Sequence, residues 1–338
     1  MTDEPRNWDL RDLTNATMEP LAGFSCIPLV APEVEFEQRA PSLRLNLSQN
    51  QLTRLPGAIF EIEHLTMLSV MRNELAEIPP AIGKLKNLRQ LNVSTNHLHY
   101  LPYELLELLR GDTKMTDVYL HPNPFYTPRT AGLDRMRQRL SENEAVRGEI
   151  APSPDRNVGI TRGGCKLMAR TPVQYLDSCG ETYSRFRLPS TPSPHGPILV
   201  EVEDLEDVSS PPSSDPRLSQ SHPASRIEAP SRVPTLIELA LRACYDSPEL
   251  ASVPALLPPK APAYMRRHLE AALAQKETGG WNCSVCRRPI VVPRAVWLEW
   301  WDLDRRRVPG WSVGRLIPFL RRGCSWLCVP STAGEGVA

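Results

Sequence analysis

Asparagine recurs at positions 50, 73 and 96, each time 23 residues after the last and each time inside the same aliphatic frame. The stretches NLSQNQLTRLP (46–56), SVMRNELAEIP (69–79) and NVSTNHLHYLP (92–102) share that frame. The first unit places Leu45, Leu47, Leu52, Leu55, Ile59 and Ile62 around its Asn. The second has Leu65, Leu68, Val70, Leu75, Ile78, Ile82 and Leu85, and the third Leu88, Leu91, Val93, Leu98, Leu101, Leu105 and Leu108. A fixed period in the twenties confines the chain to stacked units, because one such unit cannot bury its apolar face alone. Within a unit, x-L-x-L-x reads as a short strand whose aliphatic side chains point inward while their neighbours point out. The Asn turns inward at the bend after the strand, where its amide offers a donor and an acceptor to the backbone of adjacent units. Leaving such a buried group unpaired costs about 1–3 kcal/mol, so these asparagines are read as structural. Pro56, Pro79 and Pro102 stiffen the return path, where no ladder hydrogen bond is needed. Ser42 stands where the first unit should open on an apolar residue, which marks that unit as the end of the stack.

A broken fourth unit follows, with Met115, Val118, Leu120 and Asn123. Its four extra residues fall near RGDT (110–113), read as a turn. Residues 115–126 are taken as the terminal unit, 127–146 as a capping helix, and 7–21 as a short helix covering the first unit. The pattern marks leucine-rich repeats, and LPGAI, IPPAI and LPYEL resemble the intracellular 23-residue class with Leu-Pro-x-x-Ile/Leu after the Asn. Asn-Pro-Phe at 123–125 resembles the closing turn of the last unit in many such proteins. The resemblance spans about a quarter of the chain. It implies a protein-binding scaffold in signalling, of the kind found around small GTPases.

Recognition then belongs to the outward strand positions on the concave side. These are Arg44, Asn46 and Ser48; Met67, Ser69, Met71 and Arg72; Gln90, Asn92 and Ser94; and Asp117, Tyr119 and His121. The set is close to neutral and mixes Met and Tyr, residues suited to adaptable protein contacts, with a few charges. The competing reading is a merely solvated face.

The 338 residues carry no net charge, which points to neither an acidic nor a basic partner. The chain opens on MTDEPRNWDLRD, unlike a signal peptide, and no apolar run reaches the roughly 20 residues that span a bilayer. The expected location is cytoplasmic, with the nucleus as the alternative and no membrane partner, and the eight cysteines are expected as thiols or metal ligands. Thirty-five prolines are about twice the usual share of roughly 5%. Many crowd into 147–232, where Pro and Ser leave too little apolar area to offset ordering entropy. That segment reads as a linker, disordered over most of 185–232. It carries Ser-Pro and Thr-Pro pairs at Ser153, Thr171, Thr191, Ser193 and Ser210, candidate sites for a proline-directed kinase. Residues 163–188 are more apolar and are expected to dock back on the repeats.

Order resumes in a C-terminal unit, 233–330, ahead of a disordered tail at 331–338. Thr235 and Glu238 fit a capping box, and Leu236, Leu239, Ala240 and Ala243 form a helical stripe read as a packing face. A second helix is predicted at 262–277, stopped by Gly279-Gly280. Cys283 and Cys286 form C-x2-C, and Cys324 and Cys328 form C-x3-C. Two such pairs place four thiolates around one ion, the closed tetrahedral set of structural Zn2+. Six of the seven tryptophans and nine arginines lie in or beside the insert between the pairs. They read as a Trp-filled core with a solvated Arg rim, and IVVPRAVWLEWWDL as two strands around Pro293. The alternatives are nucleic-acid binding by Arg and Trp, and thiol redox chemistry by the Cys pairs. No phosphate loop, His-Glu-x-x-His or nucleophile elbow occurs, so no enzyme is expected. The expected fold is α/β: a short leucine-rich-repeat solenoid (42–146, after an N-terminal segment and cap at 1–41), a disordered linker and a small mixed α+β module with structural zinc.

Overall fold

The computed structural model describes residues 41–110, 114–129, 165–189, 198–202, 234–303 and 316–330. The predicted helix at 7–21, residues 111–113 of the 110–113 turn and the tail lie outside the described residues. Strands β1 (Leu43–Asn46), β2 (Leu65–Ser69), β3 (Gln90–Asn92) and β5 (Asp117–Tyr119) form one parallel sheet in the order β1-β2-β3-β5. The 23-residue frame sets its register: Leu45 lies beside Leu68, Leu68 beside Leu91, and Leu91 beside Val118. Those side chains are buried, together with nearly every aliphatic residue of the repeat frame. The chain returns through 3-10 turns at Gly57–Glu61 and Pro80–Lys84 and, in the third unit, through helix α1 (Tyr103–Arg110).

From the second unit on, each repeat Asn ties its own bend to the unit before, whereas Asn50, at the open end, is exposed and donates only to the Leu47 and Ser48 carbonyls of its own bend. Asn73 accepts from the Leu52 amide at 3.1 Å and donates to the Leu47 and Val70 carbonyls at 2.9 Å. Asn96 repeats this one unit on, accepting from Leu75 and donating to Val70 and Val93. Asn123 does so for the fourth unit, with the Leu98 amide and the Val93 carbonyl. At the open end, Ser42 replaces apolar packing by a 2.8 Å hydrogen bond between its hydroxyl and that of Thr66.

A second sheet stands behind the repeats. Strand β4 (Leu101–Pro102), which leads into α1, pairs in parallel with β13 (Ile317–Gly323). Antiparallel neighbours continue it: β13 with β12 (Ala295–Asp302), and β12 with β7 (Lys166–Arg170) and β8 (Gln174–Tyr175). Within the segment read as linker, residues 165–189 therefore supply two strands of this sheet. One sheet face adds Trp301, Ile317 and Phe319 to the repeat core, next to Phe125, Cys165 and Leu303. The other face packs Leu298, Trp300 and Leu320 against Tyr126, Ala169 and Val200. Val200 belongs to β9 (Leu199–Glu201), which pairs in parallel with β6 (Thr127–Arg129). The predicted capping helix thus opens as a strand at 127–129, because Thr127 donates its amide to Ile198 instead of to a helical turn. Residues 130–146 lie outside the described residues. Thr171 is fully buried and its hydroxyl accepts from the Leu298 amide, which removes it from the accessible Thr-Pro pairs.

Helix α2 (Leu236–Asp246) starts at Thr235, whose hydroxyl accepts from the Glu238 amide at 3.2 Å. The Glu238 carboxylate does not close the predicted box. It turns into the protein and accepts from the Val291 and Val292 amides at 3.0 and 3.1 Å and from Arg242 at 2.9 Å. This rotates the helix: Ile237, Leu241, Cys244 and Tyr245 face the core, while Leu236, Leu239, Ala240 and Ala243 face outward. Helix α3 (Ala263–Thr278) ends at Gly279 in left-handed conformation, close to its predicted limit. There the backbone sits against the repeats; a Cβ on Gly279 would lie 2.6 Å from that of Ala81, and one on Gly57 would lie 2.7 Å from the Gly279 nitrogen.

Candidate functional sites: the outward repeat face and a four-cysteine cluster

The strand register lines the outward residues up in rows. Arg44, Met67, Gln90 and Asp117 form one row, and Asn46, Ser69, Asn92 and Tyr119 the next. Neighbours along a row are linked: Arg44 Nε donates to Met67 Sδ at 3.3 Å, and Gln90 Nε2 to Asp117 Oδ2 at 3.3 Å. Ser48 and Ser69 share a 2.7 Å hydroxyl contact, and Asn92 holds the Ser94 hydroxyl at 2.7 Å. Ser69 and Ser94 are consequently buried and present little side chain to a partner, unlike the sequence expectation. Arg44, Asn46, Arg72 and Gln90 are exposed, while Met67, Met71, Asn92, Asp117 and His121 are half-buried. Tyr119, at 41% exposure, is the large apolar side chain that stands clear of the face.

The second site is built by two tight loops. Strands β10 (Trp281–Asn282) and β11 (Pro289–Ile290) form a hairpin around Cys283 and Cys286. Its turn is closed by the Cys283 amide on the Arg288 carbonyl and the Arg287 amide on the Cys283 carbonyl, with Arg287 left-handed at φ 64°. Cys324 and Cys328 come from the loop after β13. The two loops are stitched together by Ser284, whose amide and hydroxyl both donate to the Arg322 carbonyl. The four sulfurs lie within 4.8 Å of one another. Cys286 to Cys324 and Cys324 to Cys328 are each 3.4 Å. Metal–sulfur bonds of about 2.3 Å in a tetrahedron give sulfur–sulfur edges of about 3.8 Å, whereas a disulfide needs about 2.05 Å. The spacing fits the metal geometry, so the cluster can hold a metal ion.

Ionisation fits the same picture. A hydrogen bond from the Cys324 thiol, aided by the Cys286, Val285 and Cys324 amides, brings Cys283 down to about 4. The same bond pushes Cys324 up, and burial pushes Cys328 up. One thiolate forms readily and the next are opposed by it, which is the arrangement a divalent cation relieves.

Trp297, Trp300 and Trp301 fill the core as expected, whereas Arg321 and Arg322 are buried instead of lying on the rim. Arg321 is buried at 3% exposure and pairs with Glu299, itself 2% exposed, at 3.0 Å. Two buried charges cost several kcal/mol each to desolvate unless all their lone pairs and protons are met. Here the Glu299 oxygens also accept from Trp297 Nε1 at 2.9 Å and Trp301 Nε1 at 3.1 Å. The Arg321 guanidinium lies 3.9 Å from the Tyr103 ring centre and donates to the Ser284 carbonyl. Nothing in the sequence flags this pair beyond an Arg-Arg step in an apolar strand. Trp297, Trp300 and Trp301 are buried, Arg322 lies 4.3 Å over the Trp281 ring, and Trp326 stacks on Tyr183. No helix of the described residues is long and apolar enough to cross a membrane.

Comparison with known proteins agrees with the repeat geometry. No curated protein matches the chain. A leucine-rich repeat protein of Leptospira interrogans, known by its structure, is 32% identical over 29% of this chain, with a TM-score of 0.23. The match spans 24% of that protein's length. Residues 42–98 match the family described as leucine rich repeat, the stretch that forms the first three strands of the parallel sheet.

Proposed function

We propose that this chain is a non-catalytic interaction protein, a scaffold in intracellular signalling that holds a protein partner on the outward face of its repeats. The carrying observation is the row through Asn46, Asn92 and Tyr119, in which Ser69 is buried, flanked by Met67 and Met71. It presents adaptable apolar groups between polar ones, while the leucines and the buried Asn73 and Asn96 are committed to the core. A cytoplasmic location suits cysteines kept as thiols. Affinity purification from cell extract tests the reading with the variants Met71→Glu and Tyr119→Ala. The expected result is loss of the same partners from both. Unchanged partner sets for both variants remove the face from consideration.

The ion proposed for the cluster of Cys283, Cys286, Cys324 and Cys328 is Zn2+ in a structural role. Four thiolates close its coordination sphere and leave no position for substrate, and the 3.4 Å contacts approach the tetrahedral edge. Metal analysis of the purified chain should return one zinc per molecule, and Cys283→Ser should abolish it. A metal-free protein whose pairs oxidise to disulfides would favour thiol redox chemistry instead.

A further inference from the structure

Resting on the reading that the four thiols bind one zinc ion, we propose that this ion is the clamp that holds the C-terminal sheet to the back of the repeats. The residues that touch the repeats are sequence neighbours of the ligands. Arg287, next to Cys286, forms an ion pair with Glu107 of α1, its Nη1 reaching Oε2 at 2.7 Å. Arg322, two residues before Cys324, faces Glu77 of the second repeat at 3.6 Å, and Glu77 also accepts from the Tyr100 hydroxyl at 3.1 Å. Arg321 lies over Tyr103, and Phe319 and Leu320 carry the pairing with Leu101 and Pro102. Just before the first ligand loop, Gly279 sits on Gly57 and Ala81.

The first ligand loop and the strand that leads into the second therefore hold the repeats through arginine, and the acidic side chains come from the repeats. The Arg287–Glu107 pair is half-exposed and individually weak, worth about 0–1 kcal/mol, while Arg322 reaches Glu77 from a buried position. They act together only while the two loops keep their relative position. Within the cluster that position rests on the hydrogen bonds of Ser284 with Arg321 and Arg322, on the Cys324 amide against Cys283 Sγ and on the shared ion. Removing the ion lets the loops part. The arginines then lose their common placement, and β13 loses its hold on β4.

Amide hydrogen exchange of the full chain tests this, comparing zinc-loaded protein with protein stripped by chelator under reducing conditions and then reloaded with zinc. Residues 101–110 hold no ligand, and 43–55 serve as the internal reference. The expected result is exchange at 101–110 about ten-fold faster after stripping, restored by zinc, with 43–55 unchanged. Zinc removed in full with 101–110 unchanged overturns the clamp while leaving the zinc site standing. A chain that takes up no zinc overturns both, and the metal content tells the two failures apart. Arg287→Gln is expected to keep one zinc yet quicken exchange at 101–110. Unchanged exchange in that variant overturns the role given to the ligand loop.

Discussion

Gln49, Arg72 and Thr95 each stand one place before a repeat asparagine, and each is left-handed, with φ of 62°, 54° and 55°. The bend needs that backbone so that the next side chain can turn under the strand. For an ordinary L-residue it costs about 1–2 kcal/mol, and a β-branched residue is the poorest choice. Thr95 is exposed, so its side chain offers little compensation. Thr95→Gly is expected to stabilise the protein by about 0.5–1 kcal/mol once glycine's larger entropy loss is set against the relief. Urea denaturation measures this, and a midpoint that falls counts against the strain. Neither Gln, Arg nor Thr announces such a backbone in a sequence. Leu45, Leu68, Leu91 and the asparagines were legible because the same offset repeats in each unit. The cysteine cluster was legible from its two close pairs, whereas Arg321 was not, since its burial depends on Glu299 and Tyr103 arriving from elsewhere.

At the scale of elements, α2 shows how one polar residue can override an apolar stripe. Leu236 and Leu239 are 82% and 48% exposed, because the Glu238 carboxylate is needed by two amides at 291–292 that no strand partner meets. Glu238→Ala leaves those amides and Arg242 unpaired in a buried site, and should cost about 3 kcal/mol. Leu239→Glu on the outer face should change stability by no more than about 0.5 kcal/mol. Thermal or urea unfolding of the two variants decides the matter, and the reverse order would sink this assignment of faces. The β4–β13 pair was illegible for a related reason. Two residues, Leu101 and Pro102, read as part of a repeat, and their partner lies more than 200 positions away.

For the whole molecule, acid should find the buried histidines. His99 and His268 are 6% and 5% exposed, and burial lowers both below the ordinary 6.5. At His99 a hydrogen bond with the His97 backbone opposes burial and the His97 side chain adds to it; at His268 Arg267 adds to burial, while the Ser178 backbone, Asp177 and Glu238 oppose it. The unfolded chain then binds protons first, so stability is full above pH 6.5 and is lost as the pH falls toward the lowered values. Glu104, raised by burial, works in the opposite direction as it protonates. Comparing wild type with a His99→Gln, His268→Gln double variant isolates the histidines. The variant should lose less stability between pH 7 and 5, and equal slopes would rule the histidines out as the cause. The C-terminal sheet and helices run behind the first repeat at Gly57, the second at Ala81 and Glu77, the third at Leu101 and the last at Phe125. Open arrays grow and shrink by duplicating or deleting a coil. Here a splint of fixed length is fastened at both ends, so an inserted 23-residue copy would carry one fastening out of reach. The splint therefore holds this chain to its present number of coils, and a change of specificity is easiest by side-chain exchange on the existing rows.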